Sequence, residues 1–140
     1  MIRRFFGINI AVRDLDQSIP KFEALLGVKP RIVSDPNAYA FPGITGARFE
    51  IEGVTINLLT SSEGNNPVAK FLASRGDGIL LISLLSDEIE KDVRDLTAKG
   101  LPFIAPQVFS GAYGKVNFIH PKTMNGVQIE VIEPAKPKQV

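Results

Sequence analysis

The sequence predicts an α+β protein made of paired βαβββ modules, which form an open, curved mixed sheet around a cleft. One observation is a repeated strand segment, residues 53–59 (GVTINLL) and 126–132 (GVQIEVI), which share glycine, valine and isoleucine at an offset of 73. A second is an earlier pair of strand segments, residues 7–10 and 81–84, which match at an offset of 74. Agreement of the two offsets to within one residue indicates an internal duplication.

The composition is that of an ordinary globular protein. The chain has 140 residues, of which 44% are hydrophobic and 22% charged, enough for a single domain with its own core. A net charge of +1 gives no electrostatic reason to expect nucleic acid as a partner. The absence of cysteine excludes disulfides and thiolate metal sites. We find no signal peptide and no apolar run of membrane-spanning length, so we expect a cytoplasmic protein.

The first module is predicted to span about residues 5–60. A strand over Phe5–Val12 precedes a helix that begins at Asp14 or Asp16 and ends at Gly27, a favoured C-terminal residue. The buried stripe of this helix is predicted to contain Phe22, Leu25 and Leu26. The rest of the module is predicted as a short strand over 29–33, a turn at 34–37, a loop over 39–46, and a hairpin of strands 47–52 and 54–60.

The second module is predicted to span about residues 78–133. Residues 61–77 join it to the first module and include a helix over Pro67–Arg75. A strand over 78–85 leads to a helix that Ser86 or Asp87 caps and Gly100 ends. The closing strands are predicted over 101–105, 116–119 and 127–132, and residues 134–140 are expected to form a flexible tail.

Alternation along the strands gives each sheet one apolar and one polar face. The apolar faces, which the helices should cover, carry Ile8, Ile10, Val12, Ile56, Leu58, Ile82, Leu84, Ile129 and Val131. The opposite faces carry Gly7, Asn9, Thr55, Asn57, Ser83, Gln128 and Glu130. Either these polar faces line a shared wet cleft, the usual form of a small-molecule site, or they simply meet solvent.

Several stretches resemble one protein family, the vicinal-oxygen-chelate superfamily of glyoxalase, bleomycin-resistance and extradiol dioxygenase proteins. Within that superfamily the chain is most similar to the methylmalonyl-CoA epimerase subfamily. The similarity covers nearly the whole chain in the family's order and implies a glyoxalase-like fold, usually dimeric. The matching stretches are 7–16, 67–72, 75–79, 98–100, 118–122 and 126–130.

The resemblance also implies four metal-binding positions, which map to Gly7, Asn57, Leu81 and Glu130. The family typically has histidine at the first and third of these positions, and glycine and leucine offer no ligating side-chain atom. We therefore expect no cofactor and no tightly bound metal. A weakly held divalent ion bridged mainly by substrate oxygens is the less favoured alternative.

With the ion absent, Glu130 is the candidate catalytic base, and Asn57 or Asn9 is a candidate donor to an enolate oxygen. Asn9, Asn57, Ser83, Gln128 and His120 are the predicted substrate-binding residues. His120, the single histidine, could equally be a turn residue at a strand end.

Three hypotheses about function are consistent with these residues. The first is a metal-independent isomerase or lyase acting on a small acyl thioester or carbonyl compound. The second is a protein that binds or sequesters a small molecule without reaction, as bleomycin-resistance members do. The third is a structural or interaction role with a vestigial cleft. For the first two we expect a small-molecule partner and a homodimer.

Overall fold

The computed structural model describes residues 1–35 and 37–136 of the chain. Within it the chain divides into two compact units. The N-terminal unit is Gly7–Leu81, and the C-terminal unit is Met1–Phe6 together with the chain from Ile82 onward.

The N-terminal unit holds a four-stranded sheet and two helices. Its elements are β1 (Ile2–Ala11, of which Gly7–Ala11 belong to this unit), α1 (Leu15–Leu26), β2 (Arg31–Val33), β3 (Ile44–Ile51), β4 (Val54–Ser61) and α2 (Pro67–Arg75). The strand order is β2-β3-β4-β1. β3 is antiparallel to β2 and β4, whereas β1 runs parallel to β4.

The C-terminal unit has the corresponding arrangement. Its elements are β5 (Gly78–Ser86, from Ile82 in this unit), α3 (Ile89–Ala98), β6 (Phe109–Gly111), β7 (Gly114–Ile119) and β8 (Ile129–Pro134), with a 3₁₀ turn at Pro121–Thr123. The strand order is β5-β8-β7-β6, with β5 parallel to β8 and the other pairs antiparallel. Both halves are therefore βαβββ, which confirms the predicted α+β class.

Helix α1 covers the apolar face of the N-terminal sheet. The Asp14 carboxylate accepts a hydrogen bond from the Gln17 N–H at the helix start, and Gly27 ends the helix with a φ of 71°. The helix side chains that pack on the core are Leu15, Ile19, Phe22 and Leu26, and the core itself consists of Val12, Ala47, Phe49 and Leu58. Burial of a side chain such as Phe49 contributes about 1.5–3 kcal/mol of stability.

The equivalent turns in the two units share a pair of positive φ angles. Glu52 and Gly53 have φ angles of 47° and 82°, and Asn125 and Gly126 have 58° and 86°. Consecutive residues of positive φ make the tight turn that glycine and asparagine favour. β4 begins directly after the first pair, at Val54, whereas β8 begins at Ile129, so the duplication includes the positive φ angles but not the start of the strand.

Four predictions about the elements are wrong. Leu25 does not belong to the buried stripe of α1, because its side chain is 74% exposed. The predicted loop 39–46 ends early, since β3 already begins at Ile44. The residue at the N-cap position of helix α3 is Glu88, rather than Ser86 or Asp87, and its side chain makes no capping hydrogen bond.

The fourth wrong prediction is the strand over 101–105. There only Phe103 forms an isolated bridge, to Ile119, and the third strand of the unit is β6 at Phe109–Gly111. Pro102 and Pro106 flank the bridge, and proline has no N–H to donate to a strand ladder. Pro36, in the predicted turn at 34–37, lies outside the described residues. Residues 137–140 of the predicted tail at 134–140 also lie outside them.

Candidate functional site

The polar face of the N-terminal unit presents a pair of asparagines. Asn9 on β1 and Asn57 on β4 are register partners in the parallel ladder. The Asn57 side-chain amide donates a 2.9 Å hydrogen bond to Oδ1 of Asn9. Asn9 is 9% exposed and Thr55, two residues before Asn57, is 2% exposed, so neither faces bulk solvent. The predicted alternative of a simply solvated polar face does not hold for them.

Gly7 leaves no room for a larger residue. A Cβ built at this position would collide with the carbonyl and hydroxyl oxygens of Thr55, its partner on β4. Histidine at residue 7 therefore requires a rearrangement of β4, beyond the exchange of one side chain. Leu81, in the same unit, is buried and purely aliphatic. Neither side chain offers an atom that could bind a metal.

The C-terminal unit holds the second polar pair. Ser83 on β5 and Glu130 on β8 are register partners, again in a parallel ladder. The Ser83 hydroxyl donates a 2.6 Å hydrogen bond to Oε1 of Glu130. Ser83 is buried, whereas Glu130 keeps part of its surface accessible. The Glu130 carboxylate is thus held by the Ser83 hydroxyl in a largely desolvated position.

The protonation of Glu130 is shifted toward neutrality. Burial raises the pKa of Glu130 to about 7, against the hydrogen bond from Ser83, which acts to lower it. Loss of hydration outweighs one hydrogen bond because the charged form loses many water contacts. A carboxyl with a pKa near 7 can both accept and return a proton at neutral pH.

Tyr113 interacts electrostatically with Glu130, and the sequence analysis does not identify it. It lies in the turn between β6 and β7. Burial raises the pKa of the Tyr113 phenol, and the negative charge of Glu130 raises it further. The phenol therefore stays protonated at neutral pH and is a hydrogen-bond donor. The only sequence pattern that marks Tyr113 is its position before Gly114 in a hairpin, and that pattern by itself indicates only a turn.

Gln128 and His120 are the remaining predicted substrate-binding residues. Gln128 precedes β8, and its backbone carbonyl accepts a 3.1 Å hydrogen bond from the Ile82 N–H. His120 is exposed and caps the 3₁₀ turn, where its Nδ1 accepts a 3.0 Å hydrogen bond from the Lys122 N–H. This placement matches the interpretation of His120 as a turn residue, and its contact with substrate stays a prediction.

The described residues do not fit a metal held by several side chains. Within residues 1–35 and 37–136, no group of three or more His, Asp or Glu side chains lies close enough together to hold an ion. Of the four mapped positions, only Asn57 and Glu130 carry a side-chain oxygen, since residues 7 and 81 are glycine and leucine. Catalytic divalent metals usually have about three protein ligands. The side chains at the four mapped positions therefore fall short of such a ligand set.

No helix within the described residues has the length and apolar character needed to cross a bilayer.

The sequence model of the Glyoxalase/Bleomycin resistance protein/Dioxygenase superfamily matches residues 7–119. The mitochondrial methylmalonyl-CoA epimerase of Dictyostelium discoideum is 34% identical over 128 residues, covering 90% of this chain and 75% of that protein. The human mitochondrial enzyme of the same name is 29% identical over 130 residues, covering 91% of this chain and 72% of that protein.

Solved structures of methylmalonyl-CoA epimerases are also similar to this chain. The methylmalonyl-CoA epimerase of Mycobacterium tuberculosis has a TM-score of 0.81 at 30% identity, covering 96% of this chain and 90% of that one. A variant of the Streptomyces coelicolor methylmalonyl-CoA epimerase, in complex with 2-nitronate-propionyl-CoA, has a TM-score of 0.85 at 25% identity, covering 97% of this chain and 100% of that one.

Proposed function

Because the chain belongs to the glyoxalase/bleomycin resistance protein/dioxygenase superfamily and is epimerase-like within it, we propose that it is a metal-independent isomerase of a small acyl thioester. The reaction moves the proton on the carbon next to the thioester carbonyl, and Glu130 is the base. The observation that carries this proposal is the Ser83–Glu130 pair, a carboxylate held at 2.6 Å by a hydroxyl on the neighbouring strand. An acyl-CoA-type ligand in the Streptomyces relative supports the substrate class.

The proposed step begins with transfer of the α-proton to a carboxylate oxygen of Glu130. The C–H electron pair moves into the new carbon–carbon double bond, and the carbonyl electrons move onto oxygen as an enolate. Return of the proton from Glu130 restores the thioester with retained configuration, whereas delivery of a proton from solvent water to the opposite face of the enolate gives the inverted configuration. A pKa of about 7 suits Glu130 to both directions of this transfer.

The enolate oxygen needs a hydrogen-bond donor in place of the metal ion used by the family. Tyr113, a protonated phenol that interacts electrostatically with Glu130, is our candidate for this donor. The sequence-based candidates for this role, Asn57 and Asn9, stay predictions. Removal of one such donor typically slows a reaction by about 10²–10³-fold, which makes the assignment testable.

The test is exchange of the α-proton of methylmalonyl-CoA in deuterated water, followed by mass spectrometry, with chelator-treated protein. We expect exchange that Glu130→Gln slows by about 10²–10⁴-fold, the usual contribution of a general base. Glu52→Gln, which changes an exposed glutamate in a turn, is the matched control. Absence of exchange would discard the proposed reaction, and exchange that requires an added divalent ion would overturn its metal independence.

A binding protein without reaction is the second candidate. The observation that favours it is that polar groups of the N-terminal unit already bond to each other. The Asn57 side-chain N–H donates to Asn9, and Thr55 fills the space beside Gly7. Thermal unfolding with and without acyl-CoAs tests this candidate. Stabilisation by a ligand that is recovered unchanged supports binding alone.

The expected homodimer and cytoplasmic location stay predictions. Light scattering of the purified chain tests the first of them.

A further inference from the structure

A row of polar residues crosses the sheet of the N-terminal unit on the face away from α1. Arg31 on β2 is the register partner of Arg48 on β3, and Arg48 is in turn the partner of Asn57 on β4. Asn57 is paired with Asn9 on β1. Register partners project to the same face of a sheet. The residues on either side of Arg48 along β3 belong to the core that α1 covers, so the row lies on the opposite face.

The row places two guanidinium groups at directly opposed positions. Like charges in this arrangement repel each other and weaken strand pairing. The Glu50 carboxylate lies 3.7 Å from the Arg48 guanidinium, but the Glu50 side chain is 67% exposed and water screens the contact. In the part of the chain that the structure describes, Arg31 forms no ion pair. An anion between the two arginines would turn the repulsion into attraction.

The Tyr39 hydroxyl reaches the same face. It lies over Gly46, which precedes Arg48 by two residues on β3 and has no side chain to obstruct it; a Cβ there would collide with the hydroxyl. Burial raises the pKa of Tyr39 to about 12, although Arg48 and Arg31 act to lower it. The phenol therefore keeps its proton, and no described residue receives a hydrogen bond from it.

We infer that this face of the N-terminal unit binds an oxyanion of a small molecule, a carboxylate or a phosphate, through Arg31, Arg48 and Tyr39. Two guanidinium groups and a phenol provide several N–H and O–H donors on one face, the geometry that suits a carboxylate or phosphate. The Asn57 amide, next in the row, provides a further polar group. The proposed reaction depends on Glu130 and Ser83, neither of which is among the residues inferred to bind the anion.

The test is a titration of the ¹⁵N-labelled full chain with inorganic phosphate and, separately, with malonate, at constant ionic strength set by sodium chloride. We expect saturable amide shifts centred on Arg31, Arg48 and the Tyr39 segment. Arg31→Gln and Arg48→Gln should each weaken the Kd about tenfold or more, the effect of losing a charge-assisted hydrogen bond. Tyr39→Phe should weaken it by a smaller factor and leave the fold unchanged.

Arg94→Gln is the matched control, since it removes the same charge from an exposed position on α3. Saturation by malonate alone identifies a carboxylate ligand, saturation by phosphate alone a phosphoryl group, and either result supports the site. Shifts no larger than those from sodium chloride, or an equal weakening by Arg94→Gln, would overturn it. Circular dichroism of each variant establishes that the fold is retained.

Discussion

The Ser83 hydroxyl and the Glu130 carboxylate form a 2.6 Å hydrogen bond between register partners on β5 and β8. In the other unit the duplicated positions are Asn9 and Asn57, which are also register partners and share a 2.9 Å hydrogen bond. The same frame thus holds a hydrogen-bonded pair in each unit, but only one pair contains a titratable group. Of the two pairs, only the one that contains Glu130 can therefore transfer a proton.

Glu130 should make the stability of the protein depend on pH. Its pKa is about 7 in the folded protein against the ordinary 4.5, so the folded state binds this proton more tightly than the unfolded state does. The resulting stabilisation is fully present below the unfolded pKa and is lost as pH rises through the folded pKa. We expect the loss to be about 3 kcal/mol of unfolding free energy.

Urea unfolding at a series of pH values measures this loss, and Glu130→Gln provides the reference. The variant has no proton to lose at this position, so the difference between it and the wild type isolates the contribution of Glu130. We expect the variant to gain stability relative to the wild type as pH rises from 4.5 to about 7. Parallel curves for the two proteins would contradict the prediction.

Ser83→Ala should raise the pKa of Glu130 further. The hydroxyl hydrogen bond stabilises the carboxylate form, and its removal leaves burial unopposed. We expect the ¹³C titration of the Glu130 carboxyl, and the inflection of the exchange rate against pH, to move together to higher pH. Ser110→Ala, at an exposed serine on β6, is the control. An unchanged titration in Ser83→Ala would show that the hydroxyl does not act on this carboxyl.

The duplication makes much of the fold predictable from the sequence. Helix α2 has the predicted bounds, Pro67–Arg75, and the predicted end of α1 at Gly27 is confirmed. Both depend on local signals, a proline in the first turn and a glycine after the last one. The errors arise where pairing with a neighbouring strand, rather than a local signal, determines the bounds of an element. Residues from Ile44 onward form a strand because they pair with β4 up to Ser61, despite the glycines nearby.

The candidate site is predictable in part for the same reason. The alternation predicts that Asn9, Asn57, Ser83 and Glu130 lie on polar strand faces. The structure brings Asn9 to Asn57, and Ser83 to Glu130, within hydrogen-bonding distance. Neither the raised pKa of Glu130 nor its electrostatic interaction with Tyr113 can be predicted in this way. Both depend on how the folded chain surrounds each side chain and removes it from water, which no sequence pattern gives directly.

Gly7→Ala should destabilise the protein although it adds only one methyl group. The new Cβ meets the backbone carbonyl and the hydroxyl of Thr55, so β4 must shift, and overpacking of this kind costs about 1–3 kcal/mol. Gly64→Ala is the control, because a Cβ at that position meets no atom within 4 Å. Adding Thr55→Ala to Gly7→Ala should recover only part of the loss, since the carbonyl remains. Equal midpoints of urea unfolding for the two single variants would refute the collision.

Asp14→Ala and Glu88→Ala should differ in effect, although these residues begin α1 and α3 at equivalent positions of the duplication. The Asp14 carboxylate accepts from the Gln17 N–H at 3.0 Å, whereas the Glu88 side chain makes no capping hydrogen bond. In α3 the Ser86 hydroxyl accepts from the Glu88 N–H instead, at 3.1 Å. We expect Asp14→Ala to cost about 0.5–2 kcal/mol in urea unfolding and Glu88→Ala to be close to neutral. Equal costs would mean that charge near the helix start, rather than the hydrogen bond to Gln17, accounts for the stabilisation.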